Sequence, residues 1–62
     1  MANGFYNLAC AHAALDSMLC RDMLLKAEQT EFLYLIREHM KTDLDLDAVR
    51  ELEWYKELFE RL

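Results

Sequence analysis

From Phe5 to Leu25 apolar side chains recur at spacings of three and four. Phe5, Leu8, His12, Leu15, Leu19 and Met23 form one line, and that spacing stacks side chains on one face of a helix. Tyr6, Cys10, Ala13, Ser17, Cys20 and Leu24 form a second line made largely of small residues, and Ala11, Ala14, Met18 and Leu25 cover much of what remains. The pattern predicts a helix over residues 4–27 that starts after Asn3 as N-cap. A helix apolar nearly all round is a buried helix. Its large face is expected to dock against neighbours, and its small line to let another backbone come close.

At Glu28 to Thr30 the pattern changes phase. Continued unbroken, the helix would point Phe32, Leu35, Ile36 and His39 away from the first stripe. A turn near residues 26–30 is therefore expected, followed by a helix over 30–41 with Thr30 as N-cap and Glu31 in its first turn. One continuous helix with two differently used faces is the alternative. The segment KTDLDLD, residues 41–47, is rich in side chains that compete for backbone hydrogen bonds and reads as a connection. Asp43 or Asp45 is expected to cap a third helix over 45–62. There Ala48, Val49, Leu52, Tyr55, Phe59 and Leu62 form a stripe widened by Trp54 and Leu58, with Arg50, Glu53, Lys56, Glu57 and Glu60 outside it. Trp54 and Tyr55 diverge by about 100° on a helix, so one of them lies at the edge of the core. Trp54 is assigned to an interface.

Composition supports helices throughout. The chain has no proline, one glycine, Gly4, and few β-branched residues, whereas strands and their turns need both kinds. The fold class expected is all-α: a single-domain, three-helix unit (long, short, medium) spanning residues 1–62. Such a short chain buries only about 60% of its unfolded surface, so its core is marginal without a supplement. Two cysteines do not make a disulfide framework, yet 55% of residues are apolar. Homo-oligomerisation, with a dimer favoured, is the expected supplement, through the face of Phe5, Leu8, His12, Leu15, Leu19 and Met23. His12 sits within that face, and association is expected to weaken below about pH 6 as imidazole gains charge.

Twelve acidic residues stand against seven basic ones, net −5, and no Lys or Arg cluster occurs. Direct nucleic-acid binding is therefore not expected, since that affinity comes largely from basic residues displacing counterions. The first basic residue is Arg21 and no long uninterrupted apolar run occurs. Neither an export signal nor a membrane span is expected, and the chain reads as cytoplasmic with reduced thiols.

Candidate chemistry is sparse. His12 with Asp16, and His39 with Asp43, share a spacing that places both members on one helical face. The expected role of each Asp is to orient its His, and two donors per pair fall short of a metal site. Cys10 and Cys20, at 1.5 Å per residue, lie about 15 Å apart along a single helix and do not bridge there. Asp43, Asp45 and Asp47 alternate as in a calcium loop, but Ala48 and Trp54 stand where its glycine and glutamate belong. No phosphate loop or nucleophile motif is present. No enzyme activity, resident metal or cofactor is expected.

The function these features favour is an acidic protein-binding module, an adaptor, inhibitor or regulatory subunit, acting as a homodimer. Its expected partner contacts are Trp54, Tyr34, Leu58, Glu53, Glu57 and Glu60. The alternative is an acidic nucleic-acid mimic, of viral or plasmid type, that occupies a basic protein's binding site. A third reading is a metal-binding protein using His12 and Asp16 across a dimer.

Overall fold

The computed structural model describes residues 2–62, with side chains from Gly4 onward. Five α-helices follow in order: α1 (Ala2–His12), α2 (Ser17–Gln29), α3 (Phe32–Leu35), α4 (Arg37–Thr42) and α5 (Glu53–Glu60), with a 3₁₀ turn at Leu44–Leu46 between the last two. Among the described residues the chain is all-helical, without strands. The backbone of Asn3 lies inside α1, and the cap expected of its side chain falls outside the described residues.

The expected first helix is two helices. At Asp16 the backbone turns extended and its carboxylate accepts from the Leu19 amide at 3.2 Å, capping α2. The His12 carbonyl accepts from both Leu15 and Asp16 amides across the turn. A continuous helix over 4–27 would run about 35 Å, longer than any extent of this 24 × 21 × 18 Å molecule. Folding back lets the two halves cover each other, and burial overrides the helical preference of Ala13, Ala14 and Leu15. α1 and α2 accordingly form the most extensive contact in the fold.

Tyr6, Ala13, Cys20 and Leu24 of the small line close that contact, joined by Ala9 and Ala27, which belong to none of the three lines. The backbone that approaches is the chain's own. Leu33, Met40, Leu46, Val49, Tyr55 and Leu58 complete the core from the C-terminal half.

The second and third predicted helices are also subdivided. Thr30 ends α2 rather than starting α3: its amide and hydroxyl both donate to the Ala27 carbonyl, and Glu31 follows in the left-handed region at φ 66°. A break at Ile36 separates α3 from α4. The third helix begins at Glu53, not near residue 45. Asp43 takes the amide of Asp45 at 3.0 Å, and successive tight turns carry the chain to Leu52. Arg50 reaches back to donate to the carbonyls of Met40 (2.8 Å) and Asp43 (2.7 Å) while pairing with Asp47. It thereby satisfies acceptors that the end of α4 leaves open. Arg61 holds Glu28 through two 3.0 Å bonds and ties the C-terminus to α2.

Candidate functional site

Two features stand out on this frame: an apolar corner where α1 turns into α2, and a polar cleft centred on Asp43. The corner carries the stripe of large residues read from the sequence. None of Phe5, Leu8, His12, Leu15, Leu19 and Met23 belongs to the buried core. Leu8 and Leu15 are 49% and 85% exposed, and Met18 beside them is exposed as well. Phe5 and Met23 pack against the core's edge, and the ammonium of Lys26 lies 5.9 Å from the Phe5 ring centroid. Asp16 is the only charged side chain between Met1 and Cys20. The His12–Asp16 pair is not formed as expected, because the turn separates its members and Asp16 is committed to capping α2.

The Asp43 cleft encloses about 540 Å³ and is lined by Tyr6, Asn7, Cys10 and Ala11 of α1, His39 of α4, and Asp43 and Asp45. Three side chains converge on one oxygen, Asp43 Oδ2: the Tyr6 hydroxyl donates to it at 2.5 Å, Cys10 Sγ lies 3.8 Å away and His39 Nε2 3.3 Å away. The His39–Asp43 spacing thus forms a pair although it crosses the end of α4. Burial opposes the Asp43 charge, but the bonds from Tyr6 and the Asp45 amide, with His39 beside them, outweigh it and hold the carboxyl below its ordinary value. Burial first, then the neighbouring Asp43 charge, pushes the Cys10 thiol up to about 11. Burial and the same carboxylate raise the Tyr6 phenol. On α5, the Tyr55 hydroxyl is buried without a hydrogen-bond partner. Its pKa is raised by burial, lowered in part by Arg50, and raised further by the charges of Asp43, Cys20 and Cys10.

Cys10 and Cys20 are free thiols on different helices, so the 15 Å separation expected along one helix does not apply. Cys20 is fully buried, and burial pushes its thiol up to about 11.

The residues expected to meet a partner are spread over two elements. Leu58 is withdrawn from that set: at 1% exposure it faces the core, because α5 turns its Tyr55–Leu58 side inward. Trp54 is half-buried and meets Tyr55 edge-on at 5.9 Å. Glu53, Glu57 and Glu60 are exposed. Tyr34 is exposed on α3, where it lines a shallow cleft with Glu28, Thr30, Glu31 and Leu35. The convergence of Tyr6 and Cys10 on Asp43 had no counterpart in the sequence reading. The His39-x-x-x-Asp43 spacing was its one visible sign.

No protein-family model, curated protein or solved structure matches the chain.

Proposed function

We propose that the protein is a small acidic protein-binding module that acts as a homodimer through the α1–α2 corner. The observation that carries this reading is the exposure of Leu8, Leu15 and Met18 on a chain whose core closes without them. Charge supports a second copy as the occupant. Copies carrying net −5 repel one another, and the corner is the stretch of chain with one charged side chain in twenty residues. A specific interface takes about 800 Å² from each partner, about a fifth of the 3998 Å² accessible surface, so it takes in the exposed Asn7, Ala11 and Ala14 around the leucines as well.

Dimerisation at the corner leaves Tyr34, Trp54 and the acids Glu53, Glu57 and Glu60 to meet a heterologous partner, one with a basic surface and an apolar anchor point. The nucleic-acid mimic is less well supported. Lys56 stands among Glu53, Glu57 and Glu60 on α5 and Arg61 follows them, so cations interleave with the carboxylates there. The test of the dimer is a mixture of isotope-labelled and unlabelled protein examined by filtered NMR. Intermolecular contacts from the methyls of Leu8, Leu15 and Met18 are expected; contacts confined to another surface, or none at millimolar protein, contradict the proposal.

A further inference from the structure

We propose that the cleft between α1 and α4 is a binding site for one zinc-like divalent transition metal ion, held by Cys10 Sγ, His39 Nε2 and the carboxylates of Asp43 and Asp45. Donors from three separate segments meet there. The donor atoms of Cys10, Asp43 and Asp45 all lie within 4.8 Å of one another, and His39 Nε2 reaches the same Asp43 oxygen that Cys10 faces.

The separations fit an ion. With bonds of about 2.0 Å to nitrogen or oxygen and about 2.3 Å to sulfur, two ligands of a tetrahedral zinc stand about 3.3–3.6 Å apart. The Asp43 oxygen stands 3.3 Å from the imidazole nitrogen and 3.8 Å from the thiol sulfur. Cys10, Asp43 and Asp45 are already gathered, and the exposed His39 ring, which meets Asp43 alone among them, turns toward the other two to complete the set. A thiolate, an imidazole and two carboxylates are a borderline donor set that suits zinc and disfavours calcium or magnesium, which take oxygen ligands. This sets the cluster apart from the incomplete calcium loop of Asp43, Asp45 and Asp47.

An outer shell is in place as well. The Tyr6 hydroxyl and the Asp45 amide already bind the two oxygens of Asp43 and fix the carboxylate plane, the role that second-shell donors play around metal ligands. His39 and Asp45 are exposed and Cys10 is half-buried, so an ion has an entry path from solvent. Binding displaces one proton from the Cys10 thiol to the buffer. All four donors come from one chain, so the site does not depend on the dimer.

The test is titration of the full chain, reduced and freed of metal, with cobalt(II) and then with zinc(II). Saturation at one cobalt per chain, with a thiolate-to-cobalt charge-transfer band and tetrahedral visible bands that zinc abolishes, is the expected result. Cys10→Ser is expected to remove the charge-transfer band. His39→Ala and Asp45→Asn, both at exposed positions, are expected to weaken zinc binding by about tenfold or more. Absence of the band at millimolar cobalt overturns the proposal. So does a band that survives Cys10→Ser, or zinc affinity unchanged in both His39→Ala and Asp45→Asn.

Discussion

Tyr6→Phe is the sharpest probe of the link between the two halves of the chain. The substitution keeps the buried ring, including its 6.1 Å contact with Phe32, and removes only the hydroxyl that donates to Asp43. A hydrogen bond to a charged group contributes about 1.5–3 kcal/mol. The Asp43 side chain is only 12% exposed, so water does not freely replace the lost donor, but His39 and the Asp45 amide remain. The expected loss is therefore near the middle of that range, about 2 kcal/mol. In a domain of this size about 1 kcal/mol moves Tm by about 4–8 °C, so Tm should fall by about 8–16 °C at pH 7 with EDTA present. The effect carries a pH signature. The Asp43 carboxyl is held below its ordinary value in the folded protein, so its charge stabilises the fold above the unfolded-state pKa of about 3.9. That stabilisation is lost as pH falls through the lower, folded value. The gap between wild type and Tyr6→Phe should accordingly narrow as pH falls through the folded value of Asp43, where a neutral acid accepts a weaker bond. Thermal unfolding followed by circular dichroism at pH 7 and at low pH measures both. A loss under about 0.5 kcal/mol at pH 7 would refute the argument, as it is no more than an ordinary surface change.

Three further substitutions have defined outcomes. Glu31→Gly, at the left-handed position that ends α2, should stabilise by about 0.5–1 kcal/mol in chemical denaturation, since glycine adopts that conformation without a Cβ clash; destabilisation would show that the Glu31 side chain has a structural role. Arg50→Met keeps the stem but leaves the Met40 and Asp43 carbonyls without their donor, and should cost about 2 kcal/mol by the same measurement; a neutral result would mean water serves those carbonyls equally well. Leu24→Ala opens a cavity at a fully buried position between the helices, and its cost of about 2–5 kcal/mol rivals the whole stability of a chain this small. A sharp, cooperative transition near the wild-type Tm would contradict that placement of Leu24 in the core.

The helical class was legible because it needed only propensity: no proline, one glycine and a surplus of Ala, Leu, Met and Glu. The break at Asp16 was not, because Ala13, Ala14 and Leu15 favour helix locally, and the turn exists to let α1 and α2 bury each other. The same tertiary demand exchanged the roles of the two lines on the first segment. Packing two helices of one short chain closely requires Ala9, Ala13, Cys20 and Ala27 at the contact, which leaves Leu8 and Leu15 outside. Leu58 was misplaced for a related reason: periodicity marked a wide apolar face on α5 without showing which side of it meets the core. At Asp43 the spacing to His39 was visible, but Tyr6 and Cys10 arrive from more than thirty residues away. No local pattern encodes such a meeting.

The proposed dimer seats a second copy against the α1–α2 corner. Sedimentation equilibrium at low micromolar protein, reduced and with EDTA at neutral pH, tests it when wild type and Leu15→Lys are run together. Leu15 is 85% exposed and makes no core contact, so the substitution should leave the folded chain intact, within about 0.5 kcal/mol. Twice the 7.4 kDa chain mass is expected for wild type and the single-chain mass for Leu15→Lys. A wild-type monomer, or a dimer that Leu15→Lys leaves undisturbed, contradicts it.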